Sequence, residues 1–221
     1  MAAFGKTRLQ VVNEVLERLR EPTVATTSTN LYATLVAKVL NSVKTEIEQS
    51  WAWLNLRDTY NVTCSNGITS YALTSSGQYA QILDVWNATT KREVYRSSYK
   101  EFNRLFFGVE ALQTGDVEKF LPVGIDDNFD LQVDFWPSPA SSNLIKVNIY
   151  SPQPDPTNDS DVIVVPSQIL IEGMIAYLLA ERGDDNGLAA QAQQQYYRAL
   201  LAGAVATEGG HDPTEQDWQP I

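Results

Sequence analysis

The 221-residue chain contains few of the side chains from which most enzyme sites are built. Its only cysteine is Cys64 and its only histidine is His211. One cysteine cannot form an intramolecular disulfide or a zinc site built from several cysteines, and we predict Cys64 to be a small buried side chain. His211 follows two glycines, where nothing predicts a rigid partner. We therefore expect no nucleophilic triad.

Long apolar runs and basic side chains are also scarce. No stretch reaches about 18 apolar residues, so the sequence predicts no membrane-spanning helix and no membrane partner. The opening segment Met1–Thr7 lacks the apolar core typical of a secretion signal, and we expect synthesis in a reducing host cytoplasm. The chain has 16 basic and 27 acidic residues, a net charge of -11. This balance argues against a protein that grips duplex DNA through its phosphates.

The acidic charge is concentrated towards one end of the sequence. Residues 151–221 contain 11 acidic and 2 basic residues, a net charge of -9. The first 150 residues carry only -2. We interpret the acidity as a property of the C-terminal third of the chain.

Apolar spacing predicts two helices at the start of the chain and two near its end. The first runs from about Thr7 to Arg20 behind a capping box at Thr7–Gln10, and the second from about Asn30 to Trp51. The third spans Pro166–Gly183, with Gly183 as its left-handed end, and the fourth spans Leu188–Ala206. The predicted apolar stripe of the second helix consists of Leu31, Leu35, Val39, Val43 and Ile47.

Residues 56–150 have the short alternating segments typical of strands, and we predict an antiparallel meander. Asn66–Gly67 predicts a hairpin between Tyr60–Thr63 and Ser70–Leu73. A short helix is predicted over Ser98–Phe107. The other predicted strands are Ile82–Trp86, Glu93–Tyr95, Lys119–Val123, Leu131–Trp136 and Leu144–Tyr150. We expect the last two to be neighbours.

These elements predict an α+β fold. Residues 1–55 and 162–208 form a four-helix bundle, and residues 56–150 form a β-rich insertion that emerges from one end of it. Residues 151–161 are an exposed linker rich in proline and acid. Residues 209–221 form an extended C-terminal tail.

The acidic motifs do not predict a metal or catalytic site. Asp126–Asp130 has the Asp-x-Asn-x-Asp spacing that opens a calcium loop, but Leu131 and Pro137 stand where the loop needs glycine and glutamate. We interpret this segment as a polar hairpin turn. Asp184–Asp185 is interpreted as a solvated turn, and the tripeptide Arg182–Asp184 as the end of a helix. With no glycine-rich phosphate loop either, we expect no cofactor and no enzymatic activity.

The aromatic residues admit two interpretations. We expect a set of them to pack where the bundle meets the β-rich part: Trp51, Trp53, Trp86, Trp136 and Tyr150. An exposed row would instead suit a sugar platform, and strands that are mostly buried give no sign of one. Trp218 lies in the acidic tail, where it is either part of a frayed end or an anchor for a partner's pocket.

Several segments, taken in order, resemble one family. The resemblance is carried by Val12–Val24, Gln49–Trp53, Tyr99–Leu105, Leu131–Pro139 and Val165–Asp185. In this order they resemble the bacteriophage head-to-tail connector proteins, which are adaptors beneath the portal and are also called tail tubular or head-completion proteins. The match covers about residues 8–205. Arg20 stands where this family often has glycine.

The resemblance implies a structural virion protein at the head–tail junction. It implies a homo-oligomeric ring, usually a dodecamer, bound to the portal protein above and to tail, nozzle or tail-terminator proteins below. DNA would pass through the lumen, and the family has no catalytic residues to transfer. Our candidates for docking to the portal are Trp218, Gln219, Pro220 and Ile221. The alternative is a non-enzymatic carbohydrate- or protein-binding module that uses the β-rich insertion.

Overall fold

A computed structural model describes residues 5–77, 79–108, 113–183 and 187–209. The chain divides into a helical unit, Met1–Asn55 with Gln153–Ile221, and a β unit, Leu56–Pro152. The helices are α1 (Arg8–Arg18), α2 (Leu31–Ser50), α3 (Tyr99–Phe107), α4 (Ser167–Arg182) and α5 (Leu188–Gly209), with a 3₁₀ turn at Leu54–Leu56. The strands are β1 (Arg57–Cys64), β2 (Ser70–Ala72), β3 (Gln81–Asn87), β4 (Arg92–Glu93), β5 (Tyr95–Arg96), β6 (Thr114–Gly115), β7 (Lys119–Ile125), β8 (Leu131–Trp136), β9 (Ser138–Pro139) and β10 (Asn143–Tyr150). The predicted α+β class is confirmed.

Local hydrogen bonds fix the ends of the helices, at the start of α1 and the end of α4 as the sequence predicts. At the start of α1, Gln10 N donates to Thr7 Oγ1 (3.3 Å) and Thr7 N donates to Gln10 Oε1 (2.9 Å), which is the predicted capping box. Asn30 caps α2 by accepting from Ala33 N at 2.7 Å. Gly183 ends α4 with a φ of 67°. These side chains satisfy backbone groups that a helix end leaves without partners.

The chain turns out of α1 through a left-handed residue. Arg20 has a φ of 60°, a region that favours glycine because an L side chain is crowded there. The resembled family often has glycine at this position. Arg20 N donates to Glu17 O at 3.0 Å, so the turn is made here with an arginine.

The predicted apolar stripe of α2 is wrong at its first residue. Leu31 is 91 % exposed, whereas Val36, Leu40, Val43 and Ile47 are fully buried. The predicted stripe advanced by four residues at each step, and four residues turn a helix by about 400°. The stripe therefore drifts by about 40° a step around the helix, while the core contacts one fixed side.

The helical unit is organised around α4. Nine of the ten residues from Ile169 to Leu178 in this helix are buried. The helices α1, α2 and α5 all pack against it. α1 also packs against α2. Within the described residues this arrangement is not clearly the predicted four-helix bundle, because the extensive helix contacts of α5 are with α4.

Gly173 lets α2, α4 and α5 approach closely. A Cβ added at Gly173 would lie 2.6 Å from Val43 Cγ1 and 2.9 Å from Tyr197 Cε2. Tyr197 is almost completely buried, and it is the main side chain by which α5 enters the core. The absence of a side chain at position 173 is therefore a packing requirement.

Replacing Gly173 by alanine is expected to lower the free energy of unfolding by about 1–3 kcal/mol, because the new methyl group overlaps two neighbouring helices. The matched control is Gly203→Ala in α5, where a Cβ would meet nothing within 4 Å. There the helix preference of alanine over glycine should raise stability by about 0.5–1 kcal/mol. Urea titration of both variants measures the difference, and equal stabilisation of the two would contradict the packing requirement.

A buried ion pair joins α2 to the chain that returns from the β unit. Lys44 is only 1 % exposed, and its Nζ lies 2.9 Å from Glu48 Oε2. The same ammonium donates to Gln153 O at 2.6 Å and lies 3.5 Å from Asp155 Oδ1. Burial raises the pKa of the Glu48 carboxyl above its ordinary value, and the hydrogen bond from Lys44 offsets part of that shift.

Gln153 continues this network along the returning segment. Its backbone N donates to Glu48 Oε1 (3.1 Å), its side-chain amide donates to Val162 O (2.6 Å), and its side-chain oxygen accepts from Val164 N (3.1 Å). Further on, Asp159 accepts from Thr27 N and Thr27 Oγ1. The predicted linker 151–161 thus lies against the helical unit through specific hydrogen bonds from residue 153 onward.

Lys44→Met is expected to lower the free energy of unfolding by about 3–5 kcal/mol, because it leaves the Glu48 carboxylate buried without its cation. Lys38→Met is the matched control on the same helix. Lys38 is exposed, so its loss should change stability by less than about 0.5 kcal/mol. Thermal or urea unfolding measures both. If the two variants were equally stable, the buried pair would not have the role assigned to it.

The β unit consists of two four-stranded sheets, with strand orders β1-β10-β3-β4 and β2-β8-β7-β5, and a small β6-β9 pair. Most pairs are antiparallel, as predicted, but β5-β7 and β6-β9 are parallel. One apolar cluster contains residues from both large sheets. Its fully buried members include Cys64, Val133, Phe135, Ile145, Val147 and Ile149.

The predicted strand neighbours are wrong in two places. Ile68 N donates to Ser65 O (3.2 Å) and Gly67 has a φ of 81°, so the chain turns at Asn66–Gly67, but Asn66 lacks the positive φ that a type I′ hairpin turn requires. The strands on either side of it nevertheless enter different sheets, because β1 pairs with β10 and β2 pairs with β8. β8 and β10, predicted as neighbours of a meander, also lie in different sheets. In each case both strands bury a face in the shared apolar cluster, and this does not require them to pair with each other.

Candidate assembly surfaces

Two exposed surfaces of the β unit carry side chains that could bind a partner. The first is a cleft of about 410 Å³ formed by residues near β3, β4, β5 and β7. Its lining residues are Trp86, Thr90, Arg92, Glu93, Tyr95, Asp116, Val117, Glu118 and Lys119. Trp86 is 43 % exposed and Tyr95 is 63 % exposed. The prediction that Trp86 is a packed residue is therefore wrong.

The alternation of the strands explains why these aromatic rings face solvent. Val85 and Val94 point into the apolar cluster, so their neighbours Trp86, Glu93 and Tyr95 point outwards. Trp86 lies opposite Glu93 in the β3-β4 pair. The segments that bury these valines thus present aromatic and charged groups on their other side.

Lys119 connects this cleft to α3. Its ammonium forms an ion pair with Glu101 and lies 5.9 Å from the centre of the Trp136 ring. Glu101 also accepts from Ser97 Oγ at 2.8 Å. The hydrogen bond from Lys119 holds the pKa of the Glu101 carboxyl below its ordinary value. The charge of Glu101 is therefore already neutralised within the β unit.

The second surface is the α3 outer face, which we define as Lys100, Asn103, Arg104 and Phe107. All four residues are exposed, and Phe107 is 85 % exposed. They are three or four residues apart, which places them on one side of the helix. Phe102, on the other side, is buried and packs against Phe106 with ring centres 4.9 Å apart. α3 is thus held by one face and presents two cations and a phenyl ring on the other.

Comparison with known protein families identifies the chain. A family model described as the SU10 adaptor protein matches residues 6–217. The chain belongs to the SU10 adaptor protein family. No curated protein matches the chain.

Membership confirms the resemblance to phage connectors at the level of the family. The SU10 adaptor proteins are a phage head–tail adaptor family, and their role is structural. Such adaptors are generally not enzymes, and they associate with other phage head or tail proteins. Surfaces that can bind a partner are therefore the functional features to seek in this subunit.

Several residues that the sequence analysis singled out lie outside the described residues. These are Asp184, Asp185, His211 and the four candidates for portal docking, Trp218, Gln219, Pro220 and Ile221. Asp126 is described, and its carboxylate accepts from Asn128 N (2.8 Å) and Asp130 N (2.9 Å). The predicted polar turn between β7 and β8 is confirmed. Arg182 is bound to Glu21 and stacks on Tyr32 with 5.2 Å between guanidinium and ring centre.

The described part of the adaptor contains no cluster of three or more histidine, cysteine, aspartate or glutamate side chains placed to hold a metal ion. Nor is any helix in that part both long and apolar enough to span a bilayer. Cys64 is completely buried in the β unit, as predicted, and burial raises the pKa of its thiol to about 12. A thiol in this environment carries almost no thiolate at neutral pH.

Sequence reasoning missed both surfaces of the β unit. A signal was present, since residues 91–104 contain five basic residues, Lys91, Arg92, Arg96, Lys100 and Arg104, against two acidic ones. The positive charge of this segment does not show when charge is summed over the first 150 residues, which carry a net charge of -2. The exposure of Trp86 and Tyr95 had no comparable signal, because it depends on which strand face the core covers.

Cys64 in the native adaptor is expected not to react with a thiol-specific disulfide reagent at pH 8, because it is buried and protonated. Unfolding in urea should release one reactive thiol per chain. The control is Asn103→Cys, which adds an exposed thiol on α3. This thiol should react at once, while Cys64 in the same chain should not react. Rapid modification of the native wild-type chain would show that the β unit opens around Cys64.

Proposed function

We propose that this adaptor is a structural virion protein that forms a ring between the portal and the tail, with DNA passing through its lumen. Membership of the phage adaptor family over residues 6–217 is the observation that supports it most. The acidic balance of -11 fits a lumen that does not retain DNA, because like charges repel. The proposed location is the head–tail junction of the virion, after synthesis in the host cytoplasm.

The proposed partners are the portal protein, the tail, nozzle or tail-terminator proteins, and further copies of the chain, as a dodecamer. The adaptor acts without catalysis or a cofactor in this proposal. We also propose that residues 1–55 and 162–208 close into a four-helix bundle from which residues 56–150 emerge. The exposed faces of α3 and of the β3-β4 edge are then available to neighbours in the assembly.

The same proposal assigns portal docking to Trp218, Gln219, Pro220 and Ile221. The support is chemical, since an indole and an isoleucine in a stretch without other large apolar residues have no core of their own to join. Aromatic side chains of this kind dominate the energy of many interfaces. The preceding residues carry acid and glycine, which suits a segment that reaches towards a partner.

Deleting residues 210–221 is expected to leave the fold intact and to weaken attachment to the portal. Circular dichroism and urea unfolding check the fold, and co-sedimentation with purified portal rings checks attachment. Trp218→Ala is the minimal variant and should lose about 2 kcal/mol or more of binding if the indole is the anchor. Gln216→Ala is the matched control and should bind as the wild type does. Unchanged co-sedimentation of the truncated chain would contradict the assignment.

Electron microscopy of the native particle tests the ring itself. Labelled antibody against the chain should decorate the head–tail junction, and image averaging should show a ring of the chain there. Particles with no such ring would rule out the proposed function.

The cleft keeps one alternative open. Exposed Trp86 and Tyr95 beside the carboxylates of Glu93 and Asp116 could bind a carbohydrate, with the rings as a platform and the acids accepting from hydroxyls. This function would make the chain a carbohydrate- or protein-binding module that uses the β unit. Binding on a glycan array, together with absence of the chain from virions, would favour it over the connector.

A further inference from the structure

The α3 outer face carries positive charge that the described part of its own chain leaves unpaired. Lys100 and Arg104 are exposed and one helical turn apart, and neither forms an ion pair with any described residue. The nearest acid on the helix, Glu101, is already bound by Lys119. Phe107 completes the face with an exposed ring. Two exposed cations that form no ion pair within the described residues, beside an apolar group, fit an acidic partner that also offers apolar contact.

The surroundings strengthen this charge. Arg92 on β4 and Arg96 on β5 are exposed and also lack an ion pair among the described residues. By contrast, the cations that support the helical unit are engaged, as Arg18 is by Glu172 and Lys44 by Glu48. Residues 91–104 therefore form a basic region on the surface of an acidic protein.

The chain itself supplies an acidic segment of matching charge. Most acids of the C-terminal third that the structure describes have partners within the subunit, for example Asp159 with Thr27, Asp161 with Asn158, and Glu172 with Arg18. Asp212–Asp217 contains three acids, no lysine and no arginine. Its sequence gives a short anionic strip that precedes the residues assigned to the portal.

We propose that the α3 outer face binds the acidic segment Asp212–Asp217 of a second copy of the chain. The proposal rests on the proposed ring, for which it supplies one contact between neighbours. A closed ring uses a heterologous contact, in which two different surfaces meet, so that every copy gives one surface to each of its two neighbours. A basic face and an acidic segment on one chain satisfy this requirement, whereas like-charged copies of either surface would repel each other.

A protein segment suits this surface better than duplex DNA does. Duplex DNA is a long polyanion that would also meet the exposed Glu93, Asp116 and Glu118 beside Arg92 in the cleft, whereas a six-residue segment can contact the α3 outer face alone. The net charge of the β unit is also negative, with eight basic and eleven acidic residues. An exposed phenyl ring such as Phe107 is typical of protein interfaces.

Disulfide trapping between full-length chains tests the contact. Asn103→Cys places a thiol on the α3 outer face and Gln216→Cys places one in the acidic segment, and both keep every charge. The two single variants are mixed under mild oxidation, and the expected product on a non-reducing gel is a dimer that contains one chain of each. Native Cys64 is buried, and its raised pKa keeps the thiol protonated, so it does not interfere. The control replaces Asn103→Cys by Gln49→Cys, an exposed site on α2 outside the basic region.

The yield of the mixed dimer should exceed that of the control by about tenfold and fall severalfold as salt rises from low to high ionic strength. Lys100→Glu with Arg104→Glu should reduce it at least as strongly. Lys38→Glu with Arg198→Glu changes the net charge equally and should leave it unaltered. Converting Asp212, Glu215 and Asp217 to lysine in the Gln216→Cys chain should restore trapping by the reversed α3 face.

Four results would overturn the proposal. One is a mixed dimer no more abundant than the control dimer. Another is a yield of mixed dimer that does not change when the charges of Lys100 and Arg104 are reversed. The third is a chain carrying both Asn103→Cys and Gln216→Cys that closes only within itself. Binding of a short DNA duplex that is lost on reversal of Lys100 and Arg104, with no trapping, would likewise assign the face to nucleic acid. All of these are measured without the portal, so failure of portal docking is recognised separately by co-sedimentation.

Discussion

The helical unit depends on the contacts of the buried Lys44 ammonium with Glu48 and Gln153. The chain leaves this unit after α2, forms the whole β unit, and must return in register before α4 can occupy the centre of the helices. Lys44, Glu48 and Gln153 determine where it returns, because each satisfies a polar group of the others away from water. A charge at this depth is tolerated only when it is paired and hydrogen-bonded. The network therefore ties the returning segment to α2 at Gln153, ahead of the start of α4.

The distribution of charge separates the two tasks of the subunit. Inside the helical unit, ions hold elements together, as Glu172 on α4 does with Arg18 on α1 and with Gln193 on α5. On the β unit, the cations of the α3 outer face form no ion pair with any residue that the structure describes. A structural adaptor needs both paired charges inside the subunit and exposed charges on its surface, since it must be stable alone and must also bind neighbours. The acidic net charge does not show which charges belong to which group, because a sum over the chain counts paired and exposed charges alike.

The features that the sequence predicts well are those decided by neighbours along the chain. The capping box at Thr7, the left-handed end at Gly183, the short helix after Ser98 and the polar turn at Asp126 all depend on residues within a few positions. The strand neighbours were predicted less well for a physical reason. A turn at Asn66–Gly67 reverses the chain, but it does not decide whether the next strand pairs with the previous one or crosses to the second sheet. That choice depends on which apolar faces cover each other, and those faces come from positions as distant as Cys64 and Ile145.

The amino-acid sequence by itself determined the α+β class, the positions of the helices, the scarcity of cysteine and histidine, and the resemblance to phage connectors. These follow from composition and local pattern, which need no knowledge of distant contacts. Only the tertiary structure decided that Lys44 is buried, that Gly173 must lack a side chain, that Trp86 faces solvent, and that Lys100 and Arg104 share an exposed face. Each of these depends on what packs against a residue from elsewhere in the chain, and the free energy of that packing is not recorded in the spacing of the residues themselves.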